Sequence, residues 1–380
     1  MSAMILPPMG WNTWNTFYDK VSEELVLETM DAMIEKGFRE LGYRYLILDD
    51  CWALKERDAQ GQLVADPDKF PHGIKALADA VHAKGMKLGI YSCCGVRTCA
   101  GYPGSFDHEY DDARQFAQWG VDYLKYDNCN RPNHISSEIL NRRMAMALRS
   151  TGREIDLATC QWGTEAVKSW IASTGARTFR STVDIQDNWF SIESIARSRL
   201  ERLSWSACGC FDDMDMLVVG LNGLSMNPEV NQGGCTDEEY QTHFALWAML
   251  NAPLILGCDV RKVEGRALEI LQNKTLIKIN QDPACKAPFK IPVYGNDDAF
   301  VLVKLLSDGT YAIGLFNFGD TDANVSVELW DIGLTLSSNL RMSFRDCQTN
   351  DIVGSSREHF SAVLPPHGSN VYLCALEECK

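Results

Sequence analysis

The chain has 380 residues, 46% of them hydrophobic and 23% charged, which is the composition of a folded globular protein and not of a disordered one. That length holds one large domain with a small one, or two to three ordinary domains. A formal net charge of -15 repels polyanions and so excludes nucleic acid and anionic membranes as partners; no apolar run approaches the ~20 residues of a membrane helix.

The start, Met1-Ser-Ala-Met-Ile-Leu-Pro-Pro8, lacks the basic and apolar regions of a signal peptide, so a cytoplasmic location is expected. A first strand is expected near residue 5, then a loop, Met9-Gly-Trp-Asn-Thr-Trp14, carrying two tryptophans. Ser22 precedes an amphipathic helix over 23–36 that Gly37 ends. The β-run from Tyr43 stops in Asp49-Asp50-Cys51-Trp52. A loop over 57–71 leads to a helix over 74–83, then to a strand from Gly85 to Tyr91 and a helix over 111–119. Val121 to Tyr126 is a buried strand that delivers Lys125, Asp127 and Asn128 at its end.

The alternation continues with a helix over 136–150, a strand over 155–160, a helix over 165–173 and a strand at 177–179 followed by Arg180-Ser-Thr-Val-Asp184. A helix over 192–203, a strand ending in Phe211-Asp-Asp-Met-Asp215-Met216, a helix over 237–250, a strand over 253–256 and a helix over 265–273 complete it. Eight strand–helix units point to a (β/α)8 barrel over residues 1–285. The competing doubly wound sheet lacks a glycine-rich dinucleotide loop after its first strand. From Lys290 on, short alternating strands with Gly, Asn and Asp turns read as an antiparallel β-sandwich over 286–380. No low-complexity linker precedes it, so firm packing on the barrel is expected.

In a barrel the strand ends meet at one mouth, where active sites form. Asp49, Asp50, Tyr91, Lys125, Asp127, Cys160, Trp162, Arg180, Asp184 and Asp215 all fall there. Any one of them could be a turn, a cap or a surface charge, and Asp212 and Asp213 read that way; so many in phase do not. Carboxylates and indoles together suit a sugar, the first for its hydroxyls and the second for its apolar face. Two carboxylates across an anomeric carbon can hydrolyse a glycoside. The 14 cysteines are scattered, and neither Cys93-Cys94 nor Cys208-x-Cys210 has a partner pair at zinc spacing. They read as thiols in a reducing compartment, and no metal or cofactor is expected.

The segments Met9-Gly-Trp-Asn-Thr-Trp14, Leu48-Asp-Asp-Cys-Trp52, Lys125-Tyr-Asp-Asn-Cys129, Cys160-Gln-Trp-Gly163 and Arg180-Ser-Thr-Val-Asp184 resemble, in order, the motifs of glycoside hydrolase family 27, the α-galactosidase and α-N-acetylgalactosaminidase family. The resemblance runs from Pro7 to about Pro283, and a C-terminal sandwich fits the same layout. It implies a retaining enzyme releasing terminal α-D-galactose from oligosaccharides or glycoconjugates. Asp127 would be the nucleophile, held ionised by Lys125, and Asp184 the acid and then the base, with a raised pKa. Asp49 and Asp50 would bind the 4- and 6-hydroxyls and Trp14 would form a wall. Tyr91 and Arg180 would complete the shell, Cys160 and Trp162 would face the 2-substituent, and Asp215 and Met216 would close the far edge. Many relatives have Glu where this chain has Gln161, and the bulk of Trp162 favours a 2-hydroxyl over an N-acetyl group. α-N-Acetylgalactosaminidase and β-L-arabinopyranosidase are the alternatives on the same scaffold. Cys99 and Cys129 sit where secreted members form a disulfide; in the cytoplasm they would be free thiols, and both states stay open. The sequence also leaves the oligomeric state open, a homo-oligomer included.

Overall fold

The computed structural model describes residues 5–228 and 233–379, so the reading of residues 1–4 lies outside the described residues. Eight parallel strands form one sheet: β1 (Met9–Asn12), β2 (Tyr45–Ile47), β3 (Lys87–Cys93), β4 (Tyr123–Asp127), β5 (Asp156–Cys160), β6 (Thr178–Arg180), β7 (Phe211–Asp213) and β8 (Leu254–Leu256), in the order β7-β6-β5-β4-β3-β2-β1-β8. The sheet closes just beyond β7, where Leu217 bridges Leu256 in parallel and its amide donates to the Ile255 carbonyl at 2.7 Å. This is the (β/α)8 barrel that the alternation predicts.

Side-chain alternation sorts each strand. In β4, Leu124 and Tyr126 join the core under the helices, while Tyr123 points into the barrel with Tyr45, Ile47, Ala158 and Ile255. Lys125 and Asp127 continue that inner face upward to the mouth. The register sets the levels: Lys125 lies beside Tyr91, whereas Asp127 pairs with Cys93 and Cys160, and Cys160 with Arg180.

The helices α1 (Trp14–Phe17), α2 (Glu23–Glu35), α3 (Gly73–Ala83), α4 (Glu109–Trp119), α5 (Ser137–Ser150), α6 (Trp189–Leu200), α7 (Asp237–Met249), α8 (Gly265–Leu271) and α9 (Lys274–Asn280) connect the barrel. Their starts are written locally. Ser22 and Ser136 accept from amides three residues on, and Thr236 with Glu239 closes a capping box.

Three expectations are corrected. The first strand is not near residue 5; it is Met9–Asn12 itself, the stretch read as a loop. Gly10 is what makes it a strand, because a Cβ there would overlap the Tyr45 carbonyl oxygen and stand 2.7 Å from the Tyr45 Cβ. Gly10→Ala is therefore expected to destabilise the fold by about 3 kcal/mol, read as a lower urea midpoint at unchanged slope. The helix over 165–173 is also absent. Two 3-10 turns, Val167–Ser169 and Ile171–Thr174, take its place, because Glu165 and Ala166 are both left-handed, with φ of 51° and 49°. Asp212 is no surface charge either: it is buried, accepts from Ser181 and pairs with Arg199 at 3.5 Å.

The C-terminal strands are β9 (Phe289–Val293), β10 (Asn296–Leu305), β11 (Tyr311–Asn317), β12 (Ala323–Glu328), β13 (Leu340–Asp346), β14 (Ile352–Ser356), β15 (His359–Leu364) and β16 (Ser369–Glu378). They form a six-stranded antiparallel sheet, β14-β13-β16-β11-β10-β9, facing the β12-β15 pair across its own apolar core. The sandwich is fastened to the barrel. Thr242 on α7 donates to the His367 carbonyl at 2.7 Å, and the His367 ring stacks on Trp189 with centroids 4.5 Å apart.

Lys304 on β10 is fully buried at this junction, its Nζ donating to Asn251 Oδ1 at 2.5 Å and to the Ile279 carbonyl at 2.6 Å. Burial pulls its pKa down to about 8, against the opposing charge of Asp282 and the Cys285 thiol. Below that pH the folded and unfolded chains both hold the proton. Between about 8 and the ordinary lysine value the unfolded chain holds more, so this group makes stability rise with pH. Lys304→Met is expected to remove that rise, up to about 3 kcal/mol. It would be read from the difference between wild-type and variant melting free energies at pH 7.5 and pH 10.

Candidate active site

At the mouth one cavity is lined by Trp14, Asn15, Asp49, Tyr91, Cys99, Lys125, Asp127, Cys160, Trp162, Arg180, Asp184, Ile185, Gln186, Asp215, Met216 and Asn227. The structure thus brings together every candidate except two, Asp50 and Cys129. Asp50 adjoins Asp49 but is not itself among the lining residues, its Oδ1 accepting from the Cys51 amide at 2.8 Å and its Oδ2 from the Ala100 amide at 3.0 Å. Cys129 lies outside the lining and is paired with Cys99, 5.3 Å away between Cα atoms, a separation that a disulfide spans. Gln161 points away into the protein, fully buried, between the two pocket residues Cys160 and Trp162. Asn15, Ile185, Gln186 and Asn227 were not anticipated; Asn15 carried a signal, since it follows the wall residue Trp14. A roomier cavity, about 530 Å3, lies away from the mouth between α7, α8 and the sandwich, and holds no pair of carboxylates.

The floor is a hydrogen-bonded array. Lys125 Nζ lies 2.7 Å from Asp49 Oδ2, which also accepts from Asn12 Nδ2 at 2.8 Å. The Tyr91 hydroxyl donates to Asp127 Oδ2 at 2.9 Å, and the Asn128 amide donates to Asp127 Oδ1 at 2.7 Å. Across the pocket the Arg180 guanidinium bridges two carboxylates, Asp184 at 2.5 Å and Asp215 at 2.8 Å. The Ile185 amide also donates to Asp215, at 2.7 Å. Arg180 is almost wholly buried, whereas the Asp184 side chain is 69% exposed at the rim.

Two wall residues carry strained backbone. Trp162 has φ of 53° and Asp215 of 80°, the left-handed region that bulky side chains avoid. Such a conformation costs about 1–3 kcal/mol and is a mark of functional walls when the surroundings impose it. Here the Gly163 amide bonds the Arg180 carbonyl, and Trp247 Nε1 bonds the Asp215 carbonyl at 2.8 Å.

Electrostatics differ from the expectation. Burial raises the Asp127 pKa, with Asp184 adding to it, and the charge of Lys125 and the bonds from Asn128 and Tyr91 only moderate the rise. Burial would raise Asp184 as well, but the charge of Arg180, then that of Lys125, and the Arg180 hydrogen bond hold it below the usual carboxylate range. The expected order is thus reversed in the resting site, because the Lys125 ammonium is turned to Asp49 while Arg180 reaches Asp184. Asp215 is pushed up to about 6, by burial first and by its neighbours Asp184 and Asp213, against Arg180.

A barrel mouth in which a buried carboxylate faces a rim carboxylate between indole walls defines a sugar-cleaving (β/α)8 enzyme. Comparison with known proteins agrees: the α-galactosidase A family profile matches residues 6–282, and the α-galactosidase C-terminal β-sandwich profile matches residues 296–374. The chain belongs to this family. It is 42% identical over 370 residues to an α-galactosidase of Coffea arabica, covering 97% of this chain and 93% of that one. Among solved structures it resembles α-galactosidase I of Mortierella vinacea, with a TM-score of 0.89 and 33% identity over 98% of this chain and 97% of that one. It also resembles the α-galactosidase of Saccharomyces cerevisiae solved with raffinose, with a TM-score of 0.89 and 27% identity over 98% of both chains.

Proposed function

We propose that the protein is a retaining α-galactosidase that removes terminal α-D-galactose from oligosaccharides or glycoconjugates. The observation that carries this reading is the sharing of one pocket by Asp127, buried on the floor, and Asp184, exposed at the rim. Asp127 attacks the anomeric carbon from the β face. The bond to the aglycone oxygen breaks, its electron pair stays on that oxygen, and Asp184 supplies the proton. Asp184 then takes a proton from water, the water oxygen attacks the same carbon, and Asp127 leaves as α-galactose forms. Lys125 supplies positive charge near Asp127 and fixes Asp49. Asp49 and Asp50 serve the 4- and 6-hydroxyls, with Asp50 partly committed to two backbone amides. Trp14 and Trp162 cover the apolar faces of the ring, and Trp162 leaves the 2-position room for a hydroxyl but not for an N-acetyl group.

The test is the initial rate on nitrophenyl α-galactoside, α-N-acetylgalactosaminide and β-L-arabinopyranoside with wild type and Asp127→Asn. Dominant α-galactoside turnover that the substitution abolishes is the expected result. Preference for the N-acetyl sugar would overturn the reading of Trp162, and preference for the arabinoside that of Asp50. Absence of any turnover would overturn the reaction itself.

A further inference from the structure

The leaving group must pass the residue that protonates it. A general acid hydrogen-bonds the scissile oxygen, so the first atoms of the aglycone lie beside Asp184. That carboxylate is on the rim, and what surrounds it decides which aglycones are held. Asp184 stands on the segment leading from β6 to α6, which also gives Ile185 and Gln186 to the pocket; the segment facing it gives Asn227. The two segments are locked together. Asp187 on the first accepts from the Gly223 amide on the second at 2.7 Å; the Tyr240 hydroxyl on α7 donates to the same carboxylate at 2.8 Å, and the Met226 amide ties the second segment to the Thr16 carbonyl on α1 at 2.6 Å.

Among the described residues of these two segments and of the first turn of α6, four large apolar side chains are left open to solvent: Val183 at 66%, Phe190 at 79%, Leu224 at 72% and Met226 at 58%. Single exposed apolar residues are ordinary, but four on the segments that flank one catalytic carboxylate call for a function, and exposed apolar surface of that kind marks binding sites. None of the four side chains can donate a hydrogen bond and only the Met226 thioether can accept one, weakly, so a second sugar would find few partners among them. An apolar group would remove water from them at roughly 25 cal/mol per Å2.

We propose that these four side chains form an aglycone subsite for an apolar leaving group, alkyl or aryl, continuous with the galactose pocket. The proposal rests on the α-galactosidase reading and names its substrate class.

The test compares kcat/KM for methyl α-galactoside, octyl α-galactoside below its micellar concentration, and raffinose, with wild type and with Phe190→Ser/Leu224→Ser. Both substitutions are at exposed positions, and thermal melts check that the variant is folded. Octyl over methyl should be about ten-fold in wild type and fall to about two-fold in the variant, through KM and not kcat. A wild-type ratio near one, an unchanged ratio in the folded variant, or raffinose favoured over the octyl galactoside would overturn the subsite. So would a dimer that the double substitution splits in sedimentation velocity together with a ratio of one, because the occupant would then be a second copy of the chain. If methyl α-galactoside is not cleaved at all, the hydrolase reading falls and the subsite with it.

Discussion

Asp127→Asn should abolish turnover of aryl α-galactosides, by about 10^4-fold or more, without lowering the melting temperature. The loss follows from chemistry: an amide cannot form the ester that splits the displacement into two steps, and no other pocket carboxylate shares its place on the inner face of β4. The retained stability follows from the direction of the Asp127 pKa. Burial raises it, which means that the folded state disfavours the charged form and that above the folded pKa the carboxylate subtracts from stability. The asparagine removes that penalty and keeps an oxygen for the Asn128 amide. Lys125 is not orphaned, since Asp49 lies 2.7 Å away. A stronger form of the test uses Asp127→Gly with azide. Azide entering from the vacated side should restore cleavage of an activated galactoside and give the β-galactosyl azide, with Asp184 still able to protonate the leaving oxygen. A variant that stays active, or that loses activity only because it melts, would show that Asp127 is not the nucleophile.

Most of this site was legible because a barrel converts sequence position into spatial position. Once eight strands are phased, period-two alternation alone puts Lys125 and Asp127 on the inner face and Leu124 and Tyr126 on the outer one. What escaped depended on tertiary context. Met9–Asn12 has a glycine and an asparagine among four residues, a poor strand by propensity, and its reason for being one is the close approach of Tyr45. Glu165 and Ala166 are good helix formers held in left-handed conformations, so propensity pointed the wrong way between Trp162 and the 3-10 turns. The order of the two catalytic pKa values was hidden for a related reason. It turns on which carboxylate each cation reaches, and Lys125 and Arg180 each had several within range along the strand ends.

That reversed order makes Arg180→Gln the second decisive variant. The productive protonation state has Asp127 ionised and Asp184 protonated, yet the resting site pushes each the other way, burial raising Asp127 while Arg180 holds Asp184 low. Without the guanidinium, the pKa of Asp184 should rise, because its largest stabilising charge is gone. The acid limb of kcat/KM against pH should therefore move to higher pH, with kcat/KM at neutral pH falling about 100-fold for want of a charged hydrogen-bond donor in the pocket. Stability carries an independent signature through Asp215. In wild type its folded pKa is about 6, above the ordinary aspartate value, so between the two the folded chain binds more protons and stability falls as pH rises. Removing the cation 2.8 Å away lifts that pKa further and extends the fall above pH 6. At pH 5 Asp215 is largely protonated in both proteins, and the variant should lie within about 1 kcal/mol of wild type. At pH 8 wild type has an ion pair where the variant must bury a lone carboxylate or protonate it, a difference of about 3 kcal/mol. Asp184 adds little to either figure, being mostly exposed. Arg180→Lys, which keeps the charge but not the two-pronged reach, should restore much of the stability at pH 8 and little of the rate. A gap in melting temperature that is the same at pH 5 and pH 8 would mean that Asp215 does not depend on Arg180, and an unmoved acid limb would mean that Asp184 does not.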